Sequence, residues 1–228
     1  MKFSINLDPG VRVILPDGSE HHLGEYLLPS VLLMLAALLI MISIFVPYWS
    51  MTMFAPQYPD GLTVKVYINQ LEGDIREIDS LNHYLGMPSL DEGGRLERTT
   101  SVYAVAAMGL LLMAGVFIHN QWAGILAIPI LAYPFVFLLD LWWILYRYGH
   151  SIDPNSPLGS AIEPFTPPLF GRGTVGQFAT IARPEMGLAL VVAAVAVVLA
   201  GLWFHRMAYK PIVEARRRAA RSMEESRA

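Results

Sequence analysis

Four long apolar runs interrupt an otherwise mixed chain, at residues 28–46, 101–118, 122–146 and 186–204. Each reaches the roughly 18 to 20 mostly uncharged residues that a bilayer's hydrocarbon core requires, so the pattern predicts transmembrane helices. The first run follows a polar segment with Asp8, Arg12, Asp17, Glu20 and Glu25, exceeds a signal-peptide core in length and precedes no small-residue cleavage site. It is therefore expected to stay as an anchor. Residues 119–121 are then a tight turn, and residues 47–100 and 147–185 are two long loops. Before the first run, "VRVILPDGSEHHL" (residues 11–23) places a Pro-Asp-Gly turn between two short extended runs and predicts a β-hairpin. His21 and His22 are neighbours on its second strand and point to opposite faces, so they read as surface histidines.

Composition supports the membrane reading, since 54% of the 228 residues are apolar and 15% are charged. Orientation follows from basic residues near helix ends, which favour the cytoplasm. Arg206, Lys210, Arg216, Arg217, Arg218, Arg221 and Arg227 fill the tail at 205–228, whereas residues 47–100 hold only Lys65, Arg76, Arg95 and Arg98 among more numerous acids. The expected fold is an all-α integral membrane protein of a bacterial inner membrane, with four transmembrane helices and both termini cytoplasmic. Residues 1–27 form a cytoplasmic segment with the hairpin, and the two long loops form a folded extracytoplasmic cap. Ala189, Ala193, Ala196 and Ala200 supply a small-residue stripe for close packing of the last helix. Pro129 and Pro134 interrupt the third helix, which also carries Asp140, roughly 27 Å along it from Trp122. That depth coincides with a belt of Trp142, Trp143, Tyr146 and Tyr148. An acid in an apolar helix is a functional hypothesis, with a structural pair to Arg147 as the other reading.

The chemistry open to the chain is narrowed by its lack of cysteine, which excludes disulfides, thiolate metal sites and covalent haem attachment. A net charge of −3 gives no nucleic-acid footprint, and the basic tail fits membrane lipid. No Gly-rich phosphate loop or Ser-His-Asp spacing is present, and no residue is assigned a catalytic role. Soft-metal candidates do gather on the outer side. Met51 and Met53 alternate as on a strand, so both thioethers share a face. His83 and Met87 in "SLNHYLGM" lie one helical turn apart, and His150 and Asp153 follow the aromatic belt in "YGHSIDPNSPL". Thioether sulfur and imidazole suit copper, Cu(I) above all, and Asn82, Tyr84 and Asp153 could fix an imidazole's tautomer. Methionines also fill cores, so packing of the loops is the competing account.

The segments "APQYPDGL", "EGDIREIDSLNHYLGM", "YRYGHSIDPNSPL" and "FTPPLFG" resemble the small multi-pass membrane proteins encoded beside nitrous oxide reductase and its copper-site assembly proteins. The likeness runs roughly from Met51 to Gly187, with His83, Met87, His150 and Asp153 at matching positions; Leu85 replaces a more usual Ile, and Arg147 an expected acid. Members of that family are sometimes labelled cytochrome c, a chemistry that a chain without cysteine does not support. The resemblance implies a non-catalytic accessory role: copper handling, assembly or electron supply for an extracytoplasmic copper enzyme. Transport would require a homo- or hetero-oligomer, because one acid gives no polar path across the bilayer. The alternative is a haem b or quinol-linked redox subunit, with His119 and His205 as axial ligands at two helix ends, although imidazoles there also meet helix dipoles favourably. A purely structural subunit whose outer loops dock a partner is the third reading.

Overall fold

The computed structural model describes residues 12–14, 20–118, 122–161, 163–175 and 178–225. They divide into two compact units, one of Met1–Leu38, Met108–Leu131 and Ala194–Ala228, the other of Leu39–Ala107 and Ala132–Ala193. Three helical stretches are long and apolar enough to cross a membrane: Arg95–Phe117, Gly124–His150 and Met186–Ala208. The apolar stretch Leu27–Ser43 is shorter.

The first unit begins with strands β1 (Arg12–Ile14) and β2 (Glu20–His22), paired antiparallel with Val13 opposite His21. It also holds parts of α1 (Leu23–Ser43), α3 (Arg95–Phe117) and α6 (Met186–Glu225), and the short α4 (Trp122–Leu126). Gly115 and Gly201 admit Leu33 closely: a Cβ at Gly201 would lie 3.4 Å from Leu33 Cδ2. The buried stripe of α6 is Leu188, Val191, Ala194 and Val198, whereas Ala189, Ala193 and Ala196 are exposed. Small size alone therefore misplaced that helix's packing face, because bulkier valines line the buried side.

The second unit overturns the all-α expectation. Its two loop segments contribute β3 (Trp49–Ala55), β4 (Tyr58–Val66), β5 (Leu71–Gly73), β6 (Gly171–Val175) and β7 (Phe178–Pro184) to one antiparallel sheet ordered β5-β4-β3-β7-β6. The central pairing joins the two loops, with Met51 opposite Val64 on one side and Ala182 on the other. Strand alternation sends Trp49 and Met51 with Leu62, Val64 and Ala182 into a core shared with Ile78 of α2 (Ile75–Leu85) and Leu141 of α5 (Ile128–His150). Each large apolar side chain so buried contributes roughly 1.5–3 kcal/mol. Trp49 also donates its indole N–H to the Leu169 carbonyl at 2.5 Å.

Helix boundaries move too. The expected third helix is broken between Leu126 and Ile128, because Pro129 has no N–H to give the Ile125 carbonyl and its ring crowds that turn; the second part runs on to His150. α3 begins six residues before the apolar run, at Arg95.

Tyr48 is the joint of this unit. It is fully buried, with its phenol 2.7 Å from Ser43 Oγ and its ring 4.9 Å from that of Phe137. Ser43 gives its own proton to the Ile40 carbonyl, so the phenol donates to Ser43, and burial pushes the Tyr48 pKa above its ordinary value. The Tyr48 N–H donates to Val66 (2.8 Å), its carbonyl accepts from Glu185 (3.0 Å), and Gly187 N–H donates to Pro47 (2.7 Å). A Cβ at Gly187 would strike the Tyr48 ring and lie 2.8 Å from the Pro47 oxygen. Gly187→Ala is therefore expected to destabilise by about 1–3 kcal/mol, the usual cost of overpacking. Gly124→Ala, where a Cβ meets nothing within 4 Å, is expected to leave the melting temperature level or raise it. Thermal melts of both variants in detergent check the contrast; equal melting temperatures would remove Tyr48 from its central place.

Candidate functional site

The motif "SLNHYLGM" occupies the end of α2 and the turn beyond it. α2 buries Ile78 and Asn82 and exposes His83 and Tyr84, whose rings meet edge to face. It stops at Leu85 because Gly86 adopts the left-handed conformation (φ 73°), which glycine enters without strain. The N–H of Met87 then turns back to the Asn82 carbonyl at 2.9 Å, and Met87 is 6% exposed. The helical stacking expected of His83 and Met87 does not occur: the imidazole faces out, the thioether is buried, and the helix ends between them. Asp79 fixes this turn, its Oδ1 accepting from Leu90 N–H at 2.7 Å and Asn82 Nδ2 at 3.3 Å.

The second loop docks onto the same turn. Asp153 N–H donates to the Gly86 carbonyl at 2.8 Å and Leu158 N–H to the Tyr84 carbonyl at 3.1 Å. The Asp153 carboxylate is held locally, accepting from Asn155 N–H (2.9 Å) and Nδ2 (3.1 Å), while Ser156 Oγ donates to the Asp153 carbonyl (2.8 Å). A Cβ on Gly86 would strike Ser156 Oγ and come within 2.6 Å of the Asp153 oxygen. Gly86 thus serves two ends, terminating the helix and admitting the partner loop. Sequence reading missed it, although a glycine directly after an amphipathic helix is a recognisable stop signal.

His150 closes α5. Its Nδ1 lies 2.9 Å from the Tyr146 carbonyl, which only accepts, so Nδ1–H donates there and Nε2 is the nitrogen left without that partner on an exposed ring. That ring stacks on Tyr146 with centroids 4.0 Å apart, and Tyr146 stacks in turn on Trp142 (5.6 Å) and Trp143 (6.0 Å). Met51 and Met53 do share a face, but it is the core face: Met51 is 5% exposed within the central cluster, and Met53 packs against it. Among the described residues no three His, Asp or Glu side chains are grouped to hold a metal ion.

Asp140 is half-buried on α5. Among the described residues no ion pair joins it to Arg147, consistent with a rise of roughly 10 Å over seven helical residues. His205 is buried in α6, and His119 lies outside the described residues, as do the side chains of His21 and His22. No family model matches the chain, and no curated protein matches it either.

Burial separates the two motif residues energetically. Met87→Ala is expected to cost about 2–5 kcal/mol as a core truncation, and His83→Ala to stay within about 0.5 kcal/mol of wild type. Denaturation of the two variants side by side is the measurement; a destabilising His83→Ala with a silent Met87→Ala would invert this assignment.

Proposed function

We propose that the chain is a non-catalytic accessory protein of a bacterial inner membrane, presenting a folded extracytoplasmic cap to a copper enzyme such as nitrous oxide reductase or to its assembly proteins. The observation that carries this reading is the mutual docking of the two motif segments through Gly86, Tyr84, Asp153 and Leu158. Those are the segments on which the family resemblance rests, and here their residues build a surface. The buried state of Met51 and Met87, with Met53 partly buried against the same core, favours assembly or docking over direct copper carriage, because thioethers inside a packed core do not reach a passing ion without opening it. His83, Tyr84 and His150 remain exposed for contact with a partner.

In this reading α1 completes a set of four spans, its Leu27–Ser43 stretch of 17 residues being at the short end of what a bilayer accepts. The basic tail then sits in the cytoplasm with the N-terminus. Reporter fusions should place Ser80 outside and Ser222 inside; both on one side would refute the orientation.

Function is tested in cells. Deleting the gene should lower the copper content and activity of the extracytoplasmic reductase, and the wild-type chain should restore both. The His83→Ala/Tyr84→Ala/His150→Ala variant, made at wild-type level, should restore them only in part. A fully copper-loaded, active reductase in the deletion strain would end the accessory reading. An anaerobic Cu(I) competition titration of the purified chain separates the two accessory roles. Docking predicts the same affinity for wild type and for His83→Ala/Met87→Ala, and a loss of roughly 10-fold or more would restore the copper site.

A further inference from the structure

The face of the sheet turned away from the core carries a second pattern. Pairing places Glu72, Lys65, Ser50 and Arg183 in one row across β5, β4, β3 and β7. Thr63, Thr52, Ile181 and Arg172 form the parallel row two residues further along the strands. Arg172 is thereby the diagonal neighbour of Arg183, a separation of roughly 7–8 Å that one anionic group bridges. Lys65, Arg172 and Arg183 are all exposed, and among the described residues none of them has an ion-pair partner. The acids on this face are Glu72, opposite Lys65, Asp74, whose carboxylate is taken up by the Thr63 N–H at 2.8 Å, and Glu185, whose carboxylate accepts from Ser50 Oγ at 2.6 Å.

This clustering runs against the composition of the cap. Residues 47–100 and 147–185 hold eleven acids and seven bases, and three of those bases meet on this one face. An extracytoplasmic segment is where basic residues are least favoured, so nothing about topology calls for them. Their height is informative. Arg183 lies three residues before Met186, which opens the span Met186–Ala208, and Lys65 is in the same row as Arg183. Immediately below that row the turn after α1 is tied to the start of α6 by the Pro47–Gly187 and Tyr48–Glu185 bonds. Large apolar side chains there face outward: Phe45 is 78% exposed and Met186 61%. Exposed hydrocarbon where the chain passes between sheet and helix, a few residues from cations without an ion pair, matches the two parts of a phospholipid, acyl chain and phosphate.

We propose that Lys65, Arg172 and Arg183 bind the headgroup phosphate of an anionic phospholipid whose acyl chains lie along Phe45 and Met186. Arginine's planar donor fork suits phosphate oxygens, and the lysine supplies a third charge. Such a lipid would hold the sheet at the membrane surface beside the spans.

The test uses the full chain purified in mild detergent with equal phosphatidylglycerol and phosphatidylcholine, and native mass spectrometry counts the lipids retained. Arg216, Arg217 and Arg218 are changed to Gln throughout, which lowers the contribution of the basic tail, and the rest of the tail is the same in the two proteins compared. In that background the Lys65→Gln/Arg172→Gln/Arg183→Gln variant should reduce the enrichment of phosphatidylglycerol at least roughly fivefold, the factor expected for a single basic residue at an anionic surface. An unchanged ratio overturns the proposal, including the case in which the same variant loses binding to an acidic protein, which would make this face a protein interface. If the triple variant fails to fold, Arg172→Gln on the edge strand and the charge-conserving Arg183→Lys take its place. Loss in the first and retention in the second support the site; equal behaviour of the two refutes it.

Discussion

The second unit depends on how the chain leaves one helix and enters another through a sheet. Between Ser43 and Trp49, and again between Pro184 and Met186, a few residues must convert a helix into a strand or the reverse. Backbone groups freed at such junctions are costly when buried, unless they find partners. Here the two junctions satisfy each other: Pro47 and Tyr48 accept from Gly187 and Glu185, and Tyr48 donates to Val66. The Tyr48 ring fills the space that Gly187 leaves, and its hydroxyl is satisfied by Ser43. With those bonds made, β3 and β7 start in register, and a register slip of one residue would turn Met51 and Ala182 out of the core.

Once β3 and β7 are paired, the rest of the cap has little freedom. β4 returns along β3, β5 leads into α2, and α2 packs Ile78 against the same core that receives Leu141 from α5. The end of α2 is thereby brought to the loop that follows α5, where Gly86 and Asp153 bond. Two motifs separated by some sixty residues in sequence therefore meet because of a strand pairing elsewhere.

Much of this was written in local pattern, and the part that was not is the long-range part. Apolar runs of sufficient length announced the helices Arg95–Phe117, Gly124–His150 and Met186–Ala208, since a span is a property of consecutive residues. The Pro-Asp-Gly turn announced the β1–β2 pair. The alternation of Met51 and Met53 correctly signalled a strand, but which face they shared, and with what, depended on β7, about 130 residues later. No local pattern encodes that partner, so two outward thioethers and two core thioethers read alike. His83 and Met87 failed for a different reason: four-residue spacing implies stacking only while the helix continues, and Gly86 ends it. The docking residues around Gly86 act through backbone atoms, which leave little trace in side-chain chemistry.

Placement of the sulfur and nitrogen atoms bears on how such a cap can act. A carrier that passes a metal from site to site needs ligands that approach and leave together without unfolding their support. Here the thioethers of Met51 and Met87 are parts of close-packed interior, and truncating either is a core cavity before it is a lost ligand. The imidazoles of His83 and His150 stand on the surface, the latter held by its Tyr146 bond and stack so that Nε2 alone is offered outward. A rigid surface bearing fixed polar and aromatic groups loses little conformational entropy when another protein covers it. Division of buried sulfur from exposed nitrogen therefore argues for a surface built to be recognised, with methionine serving its architecture.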